Sequence, residues 1–155
     1  MISLATAITL TGWSKRTLWR RIADGTLARA DEDALTDKVK ISLEAIRPYI
    51  CIPIAIEDFH VIERADAGDV EAQTDLALIF LSNMKPENAV YWLKSAAKQD
   101  YMNAMHLLGR CYTDGNGLSK DENLGIMWIA KAAAQGHVIS QGQMQAIYDR
   151  FTRSK

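Results

Sequence analysis

Two stretches of the sequence match each other and decide the fold: Ala89-Val-Tyr-Trp92-Leu-Lys-Ser-Ala96-Ala97-Lys-Gln-Asp100 and Gly125-Ile-Met-Trp128-Ile-Ala-Lys-Ala132-Ala133-Ala-Gln-Gly136. They lie 36 residues apart and share a tryptophan, an Ala-Ala pair and a closing turn position. A step of 32 residues back from Asp100 reaches Gly68. Periods of this length are typical of stacked helical hairpins, so the sequence predicts a repeat array.

Each repeat unit reads as two helices, because apolar residues recur at helical spacing in both halves. In the first unit the two stripes are Ala72, Leu76, Ala77, Phe80 and then Ala89, Trp92, Leu93, Ala96, Ala97. In the second unit they are Ala104, Leu107, Leu108, Cys111, Tyr112 and then Trp128, Ile129, Ala132, Ala133. The repeat tryptophans are expected to pack in the core. One hairpin cannot bury its apolar face alone, so the units must stack.

Turn residues punctuate the array at matching positions. Gly68, Asp100 and Gly136 stand where a left-handed helix C-cap is required. Gly115 and Gly117 are assigned to turn geometry, since no strand precedes them as a phosphate-binding motif requires. Residues 57–67 align with the second helix of a unit and residues 138–151 with the first helix of another. The sequence therefore predicts six helices after residue 57.

The second unit closely resembles the Sel1-like repeat family, relatives of the tetratricopeptide repeats. The matching residues are Leu108-Gly-Arg-Cys-Tyr112, Gly115-Asn-Gly117, Lys120-Asp121 and Trp128-Ile-Ala-Lys-Ala-Ala-Ala-Gln-Gly136. The resemblance covers about residues 57–148, although the first unit lacks the Gly-x-Gly loop and has Phe80 in place of Tyr112. It implies a curved α-solenoid that binds other proteins, commonly as an adaptor, through a peptide-sized groove on its concave face.

The N-terminal segment has a different pattern. A short helix is predicted from Leu4 to Leu10, followed by a tight turn, and Ser14 is a good N-cap for a second helix, Lys15–Ala23, which Gly25 ends. Two helices joined by a short turn with glycine form the helix-turn-helix signature. A hairpin wing is then predicted from strands 26–29 and 38–41 around an acidic turn, 31–33. A further helix opens at residue 42, and Pro48 is expected to end it.

This order resembles the small winged helix-turn-helix domains of excisionase and MerR-like regulators, over roughly residues 2–50. The match rests on Leu10-Thr-Gly-Trp-Ser-Lys-Arg-Thr-Leu-Trp-Arg-Arg-Ile-Ala-Asp-Gly-Thr-Leu27. The resemblance implies that the segment contacts double-stranded DNA. Major-groove and phosphate contacts would come from Ser14, Lys15, Arg16, Thr17 and Arg20, and wing contacts from Lys38 and Lys40.

Charge leaves a second interpretation open. Residues 1–29 carry five basic side chains against one acid, Asp24, whereas the whole chain has a net charge of −1 and the predicted wing turn holds three acids. Phosphate neutralisation supplies much of DNA affinity, so a helix-turn-helix used for protein contact is the alternative. Trp19 is expected either to pack in the core or to lie on a phosphate.

Composition excludes several function classes. No apolar run approaches the roughly 20 residues of a membrane helix, and the N-terminus lacks the features of a signal peptide. Cys51 and Cys111 lie far apart, which predicts no disulfide framework and a cytoplasmic location. The three histidines have no metal-ligand spacing with one another or with the cysteines. We expect no catalytic residues, metal or cofactor.

The sequence therefore predicts a mostly α protein of two domains: a winged helix-turn-helix over 1–50 and an α-solenoid of Sel1-like hairpins over 57–155. The joint at 49–56 is apolar, so the modules are expected to pack together. The hypothesis is a bacterial or phage-type DNA-binding regulator whose repeats recruit a protein partner or mediate homodimerisation. The alternative is a protein–protein interaction adaptor whose helix-turn-helix does not bind DNA.

Overall fold

The structure is a computed structural model that describes residues 1–28 and 39–153. The predicted wing turn at 31–33 and Lys38 lie outside this range. Over the range the chain is mostly helical, with nine α-helices and one two-stranded sheet. It divides into two structural units, which differ from the repeat units of the sequence. From here on the first unit is Met1–Ala72 and the second unit is Gln73–Lys155.

The first unit begins with strand β1, Ile2–Ser3, and two helices, α1 (Leu4–Thr11) and α2 (Lys15–Ala23). Each helix has a serine N-cap: Ser3 accepts a hydrogen bond from the Thr6 backbone and Ser14 from the Thr17 backbone. Gly12 ends α1 in the left-handed conformation, at φ 68°. The two helices and the short turn between them lie where the sequence predicted them.

Strand β2, Lys40–Ile41, has a different partner from the one predicted. It pairs antiparallel with β1, with Ile2 opposite Ile41, and Thr26 to Ala28 form no strand. The prediction that strand 26–29 pairs with 38–41 is therefore wrong for the described residues of both segments. Ile2 and Ile41 are both fully buried, so burial of these two apolar side chains stabilises the pairing of β2 with β1. The alternation of apolar and polar residues within one strand does not show which strand is its partner.

The rest of the first unit is helical. Helix α3, Leu43–Ile46, runs into a turn of 3-10 helix, Arg47–Tyr49, which contains Pro48. Another 3-10 turn, Ile56–Asp58, leads into α4, Phe59–Asp66, which packs against β1. The segment that aligned with a repeat half-unit thus lies in the same unit as the N-terminus.

The repeat region contains the six predicted helices. After α4 they are α5 (Val70–Ser82), α6 (Pro86–Ala97), α7 (Met102–Asp114), α8 (Glu122–Ala134) and α9 (Val138–Thr152). In the second unit α7 packs against both α6 and α8, and α8 packs against α9, which makes a solenoid-like stack of hairpins. Trp92 is 2% exposed and lies in the interior of this stack, as predicted. Trp128 of α8 is only half-buried, so the prediction of core packing is wrong for this tryptophan.

The repeat-terminal caps are confirmed. Gly68, Asp100 and Gly136 all have positive φ, at 100°, 61° and 96°. Gly117 also has positive φ, and its α-carbon faces the start of α6 so closely that a β-carbon would lie 2.5 Å from the Pro86 carbonyl. The turn interpretation of the Gly-x-Gly loop is therefore confirmed.

Candidate functional site

A groove lies between the first helices of the two repeats, α5 and α7. It has a volume of about 240 Å³. Its lining combines apolar and polar side chains, which are Leu78, Leu81, Leu107, Arg110, Cys111, Asp114 and Asn116.

The helical spacing of α7 explains why its residues share this groove. Leu107, Cys111 and Asp114 recur at intervals of three and four, which places them on one helical face. The sequence assigned Leu107 to the buried stripe, but in the structure it is half-buried. Leu78 of α5 is 45% exposed, an apolar side chain outside the buried stripe of its own helix. That mismatch is the signal in the sequence from which this surface could have been inferred.

The chemistry of the groove is that of a shallow apolar pocket with a charged rim. Leucines and the buried Cys111 form its apolar part, and the exposed Arg110, Asp114 and Asn116 surround it. Burial raises the pKa of the Cys111 thiol, and the Asp114 carboxylate raises it further. Small-molecule sites usually enclose about 300–1,000 Å³, so this groove suits one or two side chains of a partner peptide.

The residues predicted to contact DNA lie mainly on α2. Ser14, Lys15, Arg16 and Arg20 are exposed, and Thr17 is half-buried with its hydroxyl 2.9 Å from the Ser14 hydroxyl. Leu18, fully buried, anchors the opposite face of the helix. Trp19 is 40% exposed, so it does not lie in the core.

Lys40 lies on strand β2 and not on α2. Its ammonium lies 3.5 Å from the carboxylate of Asp66 in α4 and remains 41% exposed. Lys38, the other predicted wing residue, lies outside the described residues. The structure therefore brings together the helix residues of the predicted DNA site and places Lys40 in an ion pair.

Sequence reasoning missed an aromatic cluster behind α2. The guanidinium of Arg21 lies 4.2 Å from the centre of the Trp13 ring and 5.0 Å from that of Tyr49. The two rings are 4.9 Å apart. Cation–π contacts of this kind hold α2 against the chain after α3 and direct Arg21 away from the exposed face.

Sequence reasoning also missed a histidine cluster in the second unit. The Nδ1 atoms of His106 and His137 lie 2.9 and 3.0 Å from the Ser140 hydroxyl, and the two rings stack at 4.3 Å. Sequence spacing did not connect them, because α8 intervenes. The usable signal was Ser140, a polar residue at the repeat position where Ala72 and Ala104 stand.

Neither a membrane-spanning helix nor a metal-binding cluster is found in residues 1–28 and 39–153. None of the helices there is both long and apolar enough to cross a membrane. Within the same residues, no three histidine, cysteine or acidic side chains converge in a way that could hold a metal ion.

Comparison with known proteins identifies the repeat region. The Sel1 repeat model matches residues 70–101 and 103–137. Wolframin of Homo sapiens is 38% identical over 68 residues, which are 39% of this chain and 8% of that protein. A Sel1 repeat protein from Oxalobacter formigenes is 28% identical in its crystal structure, with a TM-score of 0.49 over 51% of this chain and 34% of that one. This chain thus spans only a small part of each protein's length. The two matched segments follow the predicted period and the helical hairpins α5–α6 and α7–α8, so residues 70–137 of this chain are two consecutive Sel1 repeats.

Proposed function

We propose that this chain is a protein-interaction scaffold whose repeats receive an apolar side chain of a partner in the groove between α5 and α7. The observation that carries the proposal is Leu78, which leaves 45% of its surface in solvent beside the half-buried Leu81 and Leu107. Sel1 repeats indicate protein–protein interaction, and the groove lies between the leading helices of two such repeats.

The rim indicates how a peptide would be oriented. Arg110 and Asp114 present opposite charges one helical turn apart, and Asn116 offers both a donor and an acceptor. A partner segment with one apolar anchor and polar groups on either side fits this arrangement. Anchors buried in a pocket supply most of the affinity of such interfaces, while exposed charged rims mainly set orientation.

The test is a selection of short random peptides on the full chain, followed by affinity measurements. Leu78→Arg places a charge in the groove and should weaken the binding of the selected peptides at least about tenfold, because loss of an anchor contact costs about 2 kcal/mol or more. Tyr148→Arg is the matched control, since Tyr148 is 64% exposed on α9, outside the groove. Peptides that bind both variants equally, or a selection that yields no binder, would contradict the proposal.

A second candidate function is DNA binding by α2, favoured by one observation. Lys15, Arg16 and Arg20 are all exposed on α2, the helix that the sequence predicted to contact DNA. Lys40 lies in strand β2, which pairs with β1 and not with the predicted wing strand, so this candidate function rests on the residues of α2. If the basic face of α2 does not bind DNA, the chain is an adaptor alone.

The DNA hypothesis is tested by fluorescence anisotropy of a labelled duplex pool at several salt concentrations. Binding that weakens with salt and is lost in Lys15→Ala/Arg16→Ala supports it. Lys85→Ala/Lys98→Ala removes two exposed charges from the repeats and serves as the charge-matched control. Equal loss in both double variants would identify nonspecific attraction, and no binding at low salt would leave the adaptor function alone.

A further inference from the structure

Ser140, near the start of α9, connects two histidines of different elements. It is fully buried and follows His137, the N-cap residue of α9, by three positions. His106 lies on α7 and is 5% exposed. The hydroxyl of Ser140 is within hydrogen-bond distance of both imidazole Nδ1 atoms, at 2.9 Å for His106 and 3.0 Å for His137.

The hydrogen-bond pattern determines where the protons lie. The Ser140 backbone N–H donates to Nδ1 of His137 at 3.2 Å, so that nitrogen must be unprotonated. The one in-plane lone pair of that nitrogen is then used by the backbone N–H, so the acceptor open to the Ser140 hydroxyl proton is Nδ1 of His106. The network therefore links His106, Ser140 and His137, and the acceptor for the Ser140 N–H exists only while Nδ1 of His137 carries no proton.

We propose that this His106–Ser140–His137 network is an acid-sensitive latch that attaches α9 to α7 at neutral pH and releases it on protonation. A proton on Nδ1 of His137 turns the cap acceptor into a donor that faces the Ser140 N–H. A cation there would also lie at the N-terminus of α9, the positive end of the helix dipole. A second proton on His106 would place two positive rings in a stack with centres 4.3 Å apart.

The surroundings make the network more sensitive to acid. Burial lowers the pKa of His106, and the nearby His137 and Arg110 lower it further. Three charges on the packed helices have other partners: Glu122 pairs with Lys120, Lys131 lies over the Trp128 ring and Lys94 lies near the Tyr112 ring. The carboxylates of Glu87 on α6 and Asp114 on α7 are exposed. Those of α9, Asp149 and Arg150, lie in its last two turns. Within residues 1–28 and 39–153, no carboxylate stabilises the charged form of His106.

The sign of the pH dependence follows from the lowered pKa. Below the pKa of an ordinary histidine, about 6.5, the detached state binds more protons than the attached state. The attachment of α9 is therefore fully present above that pH and is lost as the pH falls toward the lower pKa of the folded state. Histidine is the side chain whose charge changes in this range.

Hydrogen exchange of the full chain at pH 7.5 and pH 5.5, corrected for intrinsic rates, tests the latch. In the native chain the α9 amides should lose protection about fivefold more than the α6 amides, the change expected from losing a helix N-cap. His137→Asn keeps a side-chain acceptor at the N-cap that cannot become a donor cation, but it leaves His106 in place. The acid-induced loss of α9 protection should therefore be smaller in this variant than in the native chain. His60→Gln changes an exposed histidine of α4 and should behave like the native chain.

Two results would overturn the latch. One is equal acid-induced loss of protection in α9 and α6 of the native chain. The other is a His137→Asn variant, folded by circular dichroism at pH 7.5, in which α9 loses protection in acid as the native chain does. The native comparison decides the question even if the variant does not fold.

Discussion

Gly109 of α7 and Gly125 of α8 face each other where the two helices of the second repeat cross. A β-carbon on Gly109 would lie 2.9 Å from the Gly125 carbonyl oxygen, and one on Gly125 would lie 2.8 Å from the Gly109 carbonyl oxygen. Neither helix can carry a side chain at this point without moving backbone. Gly109 belongs to the Leu108-Gly-Arg-Cys-Tyr112 motif, so part of the family signature is explained by this crossing.

Gly125→Ala should therefore destabilise the second unit by about 1–3 kcal/mol, the usual cost of overpacking. The new β-carbon would clash with the Thr113 side chain as well as with backbone atoms, and this clash outweighs the better helix propensity of alanine. The effect is measured as the shift of the urea unfolding midpoint, monitored through hydrogen exchange of the α7 and α8 amides.

Gly142→Ala in α9 is the matched control. A β-carbon there meets nothing within 4 Å. Without a clash only the helix propensity remains, so this change should stabilise α9 by about 0.5–1 kcal/mol. Equal effects of the two substitutions would show that the crossing does not require glycine.

Asp100 predicts a stabilising substitution. It occupies the cap position with φ 61°, where the neighbouring repeat boundaries have Gly68 and Gly136. The left-handed conformation costs a non-glycine residue about 1–2 kcal/mol. Glycine avoids this cost, but the greater conformational entropy that it gives the unfolded chain offsets part of the gain. Asp100→Gly should therefore raise the free energy of unfolding by about 0.5–1 kcal/mol in urea denaturation. Asp100→Ala, which keeps a β-carbon, should not.

Asp66 connects α4 to the N-terminus of the chain. Its carboxylate is 6% exposed and accepts hydrogen bonds from the Ser3 backbone, at 3.0 and 3.1 Å, and from the Ser3 and Thr6 hydroxyls. Asp66→Asn would leave some of these donors unsatisfied, so it should destabilise the first unit by about 1–3 kcal/mol at pH 7. Glu63→Gln removes only an exposed ion pair with the N-terminus and should change stability by less than about 1 kcal/mol.

The same carboxylate predicts a pH dependence. Burial pushes the pKa of Asp66 upward, but the bonds from Ser3 and Thr6 and the Lys40 ammonium outweigh it, so the pKa lies below its usual value. The stabilisation is present above the unfolded-state pKa, about 4, and is lost as the pH falls through the lower folded value. Asp66→Asn should flatten the loss of stability between pH 5 and pH 2, measured by urea midpoints. A variant as acid-sensitive as the native chain would contradict this assignment.

Cys111 should react slowly with alkylating reagents. The thiol is 4% exposed and its pKa is raised by burial, whereas Cys51 is half-buried. Because the thiolate is the reactive form, iodoacetamide at pH 7.5 should modify Cys51 before Cys111 in the folded chain. Mass spectrometry of timed digests measures both rates, and urea should remove the difference. Faster modification of Cys111 would mean that the groove opens in solution.

The local elements of this protein follow from its sequence because their causes are local. The apolar stripes at helical spacing define α5 to α9. Ser14 caps α2 because its side chain accepts a hydrogen bond from the backbone N–H of Thr17, only three residues later. The turn positions at Gly68, Asp100 and Gly136 need a backbone conformation that few residues adopt. The 36-residue match between the two tryptophan segments then identifies the hairpins as repeats, because hairpins with matching apolar faces stack on one another.

Contacts between distant residues were decided only by the tertiary structure. Strand β2 pairs with β1, in which Ile2 lies opposite Ile41, a residue 39 positions later in the chain. This pairing forms because both isoleucines are buried, and nothing in the residues around β2 specifies that partner. The groove beside Leu78 and the network at Ser140 arise in the same way, from helices that stacking brings side by side. A period in the sequence determines that the helices stack, but the side chains that meet depend on how each pair of faces packs, as the two glycines between α7 and α8 illustrate.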